Sequence, residues 1–161
     1  MRPIALILLC LSLAACGAPR PEVTRAIATA DLNPGESPQM RGLVNKWAAI
    51  HGIPASLLHR VIQRESDYRP GARNGPYWGL MQILPQTART MGHAGPPSTL
   101  LDPETNLNYA GRYLKGAWMV SDGDEHAAMM WYARGYYYEA KNKCLLVETG
   151  LNHRETARHC R

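Results

Sequence analysis

The sequence predicts an all-α, or nearly all-α, fold of about seven short helices, and three observations carry that expectation. Apolar residues recur at offsets of three and four in segment after segment of the 161-residue chain. Ser37-Pro38, Asp102-Pro103 and Asp124 supply helix-start signals. No stretch alternates apolar and polar residues convincingly, as a half-buried strand would. At 45% hydrophobic and 19% charged, the chain suits one small globular domain, with no internal repeat or low-complexity tract.

The elements follow in order. In "ESPQMRGLVNKWAAIHG", Ser37 caps and Pro38 takes the first helical position. Met40, Leu43, Val44, Trp47 and His51 form the stripe, and Gly52 ends the helix. The second helix runs from about Pro54 to Tyr68, because Arg69 before Pro70 resists the helical region. "GARNGPYWG" is loop by its Gly, Asn and Pro content. "LMQILPQTARTMG" reads as a short helix interrupted at Pro85, and "HAGPPSTL" as loop. Asp102 caps a long helix with Pro103 first and Glu104 near the positive dipole end. Its stripe is Leu107, Ala110, Gly111, Leu114 and Trp118. "DEHAAMMWYARG" is the next helix, and "YYYEAKNKCLLVE" and the tail from Leu151 are read as short helices.

The second helix contains a misfit. Leu57, Leu58, Val61 and Ile62 lie at offsets that place Glu65 on their face, where the pattern wants another leucine. Arg60, Gln63 and Arg64 point elsewhere and read as solvated. A carboxylate in an apolar setting needs a partner or gives up its charge. An arginine salt bridge, a frayed helix end and a working acid all satisfy the spacing.

The first residues stand apart from the domain. "MRPIALILLCLSLAAC" places Arg2 before an apolar run from Ile4 to Ala15, too short to span a bilayer stably and suited to a signal-peptide core over residues 1–15. "LAAC" resembles the lipobox of bacterial lipoproteins, which implies cleavage before Cys16 and acylation of Cys16. Gly17 after the cysteine favours the outer membrane by the same resemblance. An ordinary secretory leader is the alternative. Residues 16–36, with Pro19, Pro21 and Pro34, read as a flexible tether, and 37–161 as the domain. Of four cysteines, Cys10 leaves with the leader and Cys16 carries lipid, so Cys144 and Cys160 are a disulfide candidate in an oxidising periplasm. Such a bridge stabilises by about 3 kcal/mol. A metal site is not expected, since CxxC and HExxH are absent and the six histidines are dispersed. The formal charge of +5 comes from scattered basic residues, which gives nucleic-acid binding little support and suits an anionic wall polymer equally well.

"ESDYRPGARNGPYWGLMQILPQTA" resembles the signature of the soluble lytic transglycosylase (SLT) family, whose domain is related to goose-type lysozyme. The matching pieces are Glu65-Ser66, Pro70, Ala72, Gly79-Leu80-Met81-Gln82, Pro85 and Thr87-Ala88. Asn106, Tyr113 and Leu114 match the family's "N…YL" helix. "WYARG", Trp131 to Gly135, stands where the family usually has "AYNAG", so Ala133 and Arg134 depart from the pattern. The run after Gly135 does not match at all.

The resemblance implies a lysozyme-like domain around a substrate groove, with peptidoglycan glycan strands as partner and no cofactor. It implies a lyase that cleaves the β-1,4 bond between N-acetylmuramic acid and N-acetylglucosamine and leaves 1,6-anhydro ends. Glu65 then serves as acid and afterwards as base. Burial and the negative end of its helix both favour the protonated form it needs. Ser66 is expected near the glutamate or the sugar, or as a polar helix end. Gln82 is expected on the substrate, Gly79 to allow a close backbone approach, and Met81 to line the pocket or fill the core. Tyr132 is expected to donate a hydrogen bond to Glu65. Asn106 and Tyr113 read as structural, and Asp67 as solvated. Tyr77, Trp78 and Tyr136 to Tyr138 offer stacking faces or core packing, and Arg73 and Arg134 charges for peptide carboxylates. The alternatives are a hydrolytic goose-type muramidase and an inactive wall-binding lipoprotein.

Overall fold

The computed structural model describes residues 31–160, so the expected leader, Cys16 and most of the expected tether lie outside the described residues. Six α-helices and two 3-10 turns carry most of the regular structure of the described residues. They are α1 (Pro38–His51), α2 (Ala55–Ser66), α3 (Pro85–Thr90), α4 (Pro103–Val120), α5 (Glu125–Arg134) and α6 (Tyr137–Asn142). No helix among the described residues is long and apolar enough to cross a membrane.

The helix starts follow their capping chemistry. Ser37, Asp102 and Asp124 each accept a backbone N–H three residues on, from Met40, Thr105 and Ala127. Proline follows the cap in α1 and α4, where its missing N–H has no helical partner to lose. Helix α4 is the spine, packed by α1, α3 and α5. Leu107, Ala110, Leu114 and Ala117 of α4 meet Leu57, Leu58 and Ile62 of α2 in one buried cluster. Gly111 of α4 lets His51 lie directly against the helix backbone, and His51 Nε2 sits 2.9 Å from the Leu107 carbonyl.

Several boundaries differ from the sequence expectation. Helix α2 ends at Ser66, two residues early, because Asp67 and Tyr68 adopt left-handed backbone with φ of 49° and 59°. "GARNGPYWG" is a small hairpin rather than plain loop. Strands β1 (Arg73–Asn74) and β2 (Tyr77–Trp78) pair antiparallel, Arg73 with Trp78 and Asn74 with Tyr77. Strands of two residues are too short to show an alternating pattern. Residues 79–82 form turns, Ile83 pairs with Trp78 in an isolated antiparallel bridge, and the helix there begins at Pro85. The 97–101 segment is a 3-10 turn, and the tail contributes only Arg158–Cys160 in that form. The expected tether also ends early, since Asn33 and Glu36 are bonded into the domain. A disulfide joins Cys144 to Cys160 and closes a loop over buried Leu146 and Ala157.

Candidate active site

Glu65 is the penultimate residue of α2. Its four apolar neighbours at helical spacing are buried, and Glu65 stands where their stripe reaches the surface, its side chain 23% exposed. It lines a cavity of about 330 Å³ with Arg64, Asn74, Tyr77, Gln82, Tyr132 and Ala133. A cavity of about 270 Å³ shares the last four of these residues and extends past Leu84, Thr87 and Tyr113 to Arg134. Together they make one groove, with Glu65 in one half and Arg134 in the other.

The groove holds the carboxyl of Glu65 in an acid-favouring state. Burial pushes its pKa above the ordinary carboxylate range, and the charge of Arg64 pulls partly back, its Nε 3.6 Å from Oε1. The end of the α2 dipole acts in the same direction as burial. None of the described residues donates a hydrogen bond to this carboxylate, so nothing but Arg64 competes for it. Arg64 is exposed, as expected, and also borders the site.

The segment Trp78–Ile83 packs beside Glu65 because side chains from α2, α4 and α5 hold its backbone. Ser66 donates to the Leu80 carbonyl at 2.7 Å. Asn106, fully buried, donates to the Trp78 and Leu100 carbonyls at 2.9 and 2.8 Å and accepts from Met81 N–H at 3.0 Å. Tyr132 donates to the Met81 carbonyl at 2.7 Å. Gln82 donates to the carbonyls of Ala72 and Gly79 at 3.1 and 2.8 Å. The backbone carbonyls of residues 78 to 81 thus each accept a side-chain bond, which lets an irregular turn stay buried. Gly79 has φ 76°, and a Cβ there would collide with the Leu100 carbonyl and the Asn106 amide.

This geometry sorts the expected roles. Tyr132 gives its single hydroxyl proton to Met81, not to Glu65; it shares the Glu65 cavity as a wall. Its own pKa is pushed well up by burial and then by the Glu65 charge. Ser66 is the buried last residue of α2 and donates to Leu80, the polar helix end that was its other expected role. Met81 is fully buried in the core and lines neither cavity. Gly79 serves an approach of the chain to itself. Gln82 does line both cavities, but from a left-handed turn with φ 46° rather than a helix. Its amide nitrogen is committed, and its buried Oε1 has no partner.

The aromatic candidates divide. Tyr136 is buried and donates to the Tyr113 carbonyl at 2.9 Å, so it belongs to the core. Trp78 lies under the Arg73 guanidinium at 3.7 Å. Tyr77 is 42% exposed and lines both halves of the groove, whereas Tyr137 and Tyr138 line neither. Sequence reasoning missed Asn74 and Thr87 as groove residues; they carry no spacing signal, because the hairpin and the start of α3 bring them there. The tight His/Cys group Cys144, His159 and Cys160 offers no free thiolate for a metal, both sulfurs being bonded to each other.

Comparison with known proteins adds a lineage to this geometry. The sequence profile of the transglycosylase SLT domain matches residues 42–143. A peptidoglycan transglycosylase, gp16, of Escherichia phage T7 is 36% identical over 99 residues, covering 58% of this chain and 7% of its own. The membrane-bound lytic murein transglycosylase C of Yersinia pestis (strain Pestoides F) is 38% identical over 80 residues, 45% of this chain and 22% of its own. The Yersinia pseudotuberculosis protein of that name (serotype O:1b) matches to the same degree. The chain therefore spans less than a quarter of the length of these relatives. No solved structure matches it significantly.

Proposed function

The chain belongs to the transglycosylase SLT domain family, and from that membership we propose that it is a peptidoglycan lytic transglycosylase with Glu65 as its acid and base. One observation carries the reading. Among the described residues lining the groove, Glu65 is the one carboxylate. Glycoside hydrolases ordinarily need two, one to protonate the leaving oxygen and one to attack or to activate water. A single carboxylate suffices when the substrate supplies its own nucleophile.

The steps balance with that one group. Protonated Glu65 gives its proton to the glycosidic oxygen as the bond to the anomeric carbon of N-acetylmuramic acid breaks. The acetamido oxygen of the same sugar stabilises the cationic carbon. Glu65, now anionic, takes the proton of the 6-hydroxyl as that oxygen bonds the anomeric carbon. The product is a 1,6-anhydro end, water is not consumed, and the carboxyl is protonated again. An attached hydroxyl has a high effective molarity, so the internal attack outruns a bimolecular one. Burial raises the pKa of Glu65, the direction that favours the proton donor the first step needs.

The test is digestion of purified peptidoglycan and mass analysis of the products. Anhydro ends, one water lighter than reducing ends, are the expected result. Reducing ends alone would reassign the protein as a hydrolase, and no release at all as a wall-binding protein.

The envelope location is part of the same proposal. Acylation of Cys16 anchors the chain to the periplasmic face of the outer membrane. The "LAAC" motif, the membrane-bound name of the Yersinia relative and the Cys144–Cys160 disulfide support it. Mass spectrometry of the mature N-terminus would reject it by showing a first residue other than a modified Cys16.

A further inference from the structure

A further cavity, of about 380 Å³, lies between the end of α3 at residues 90–92, the α4 residues Arg112, Lys115 and Gly116, and the loop 147–150. Thr90 stands one turn after Thr87 on α3, and Gly116 one turn after Tyr113 on α4. Thr87 and Tyr113 line the groove. On both helices the cavity is therefore one turn, about 5 Å, past the groove. The SLT profile ends at residue 143, so the loop wall lies beyond the family match. That wall is braced. The Cys144–Cys160 disulfide closes the tail, Val147 N–H donates to Glu155 at 2.9 Å, and the Thr149 hydroxyl donates to the Leu145 carbonyl at 2.7 Å.

Two cations reach this cavity from neighbouring positions on α4. Arg112 donates to the Met91 carbonyl at 3.2 Å, and its guanidinium lies 5.5 Å from the centre of the Tyr109 ring. Those contacts hold the side chain and leave most of its five N–H donors uncommitted. Lys115, one turn on, is exposed. Among the described residues no carboxylate forms an ion pair with either. Glu148 is the one acid on the cavity wall, so two positive charges and one negative leave one net positive charge, which a single carboxylate neutralises. A guanidinium edge and an ammonium three residues apart on a helix can meet the same anion. Resting on the lytic transglycosylase reading above, we propose that this cavity is a second substrate site, in which Arg112 and Lys115 bind a carboxylate of the strand held in the groove. Peptidoglycan offers that group from two sources. Stem peptides carry carboxylates, and an N-acetylmuramic acid without a peptide carries a free lactyl carboxylate.

The test compares soluble uncrosslinked strands with the same strands after their carboxylates have been converted to amides, which removes the charge and keeps the length. Peptide-bearing and amidase-stripped strands are both used, the first for stem carboxylates and the second for lactyl carboxylates. The readout is kcat/KM for anhydro-end formation by the purified full chain. The double substitution Arg112→Gln, Lys115→Gln lowers it about tenfold on a carboxylate strand, through KM, and leaves it within about twofold of wild type on the amidated strand. Lys115→Gln alone, which breaks no hydrogen bond or ion pair of the described residues, lowers it about threefold on the carboxylate strand. Glu148→Gln acts in the opposite direction and raises it, because a like charge leaves the cavity. A loss confined to peptide-bearing strands assigns the stem carboxylate, and a loss confined to stripped strands the lactyl one. Equal losses on carboxylate and amidated strands, or no loss on either, overturn the site while leaving the transglycosylase reading intact. If wild type forms no anhydro ends from any strand, that reading falls and this one falls with it.

Discussion

Glu36 and Glu65 both meet helix α2, and the protein settles their charges in opposite ways. Glu36 reaches the helix from the preceding segment, with its side chain wholly buried. Burial alone would raise its pKa, but hydrogen bonds from Arg41 and Asn33 and the nearby charges of His59 and Arg41 outweigh it, and the carboxyl is held below its ordinary range. Arg41 engages both carboxylate oxygens at 2.6 Å. The Glu65 side chain is less buried, yet its pKa moves up, because among the described residues its one charged neighbour stands off at 3.6 Å and no donor reaches it. Partners, more than depth, decide which carboxylate is structural and which can hold a proton.

The comparison breaks first at Glu65. Glu65→Gln keeps the shape and removes the proton donor and acceptor, so release of anhydro products should fall by about 1,000-fold or more, read by quantitative mass analysis. Residual activity within tenfold of wild type would remove Glu65 from the chemistry.

Glu36→Gln should leave the reaction type unchanged and cost about 2 kcal/mol of stability at pH 7, from the lost two-point contact with Arg41. The sign with pH follows from its lowered pKa. The contribution is fully present above the ordinary value of 4.5 and is lost as pH falls through the lower folded value. Urea unfolding of both proteins should therefore show a gap at pH 7 that narrows in acid. A gap that widens in acid would contradict the assignment.

Arg64→Gln gives the finest test. It removes the one group that offsets burial at Glu65, so the basic limb of the kcat/KM profile should move to higher pH. A limb that stays in place, or moves down, would mean that Glu65 does not set it.

Much of this was legible before the structure. The capping residues Ser37, Asp102 and Asp124 declare their helices, because a cap acts on backbone within three residues of itself. Glu65 announced itself as a polar residue in an apolar register. Its neighbours in the motif were less legible. Tyr132 was expected to bond Glu65 and Ser66 to lie near the glutamate or the sugar, or to be a polar helix end; both hold the Trp78–Ile83 turn, and Met81 takes the core role, the second of its two expected places. The Asn106 role was anticipated only as structural, and the bonds it makes span 25 and 28 residues of chain.

The sequence by itself determined where the capped helices begin, the Gly52 end of α1 and the odd carboxyl on α2, since each depends on interactions a few residues long. Only the tertiary structure decided that Arg64 borders the acid, that Tyr132 answers Met81, and that Arg112 and Lys115 share a cavity with the loop 147–150. Those outcomes depend on which carbonyl or charge arrives from a distant part of the chain. A hydroxyl has one proton to give, and the sequence does not say which acceptor will be closest.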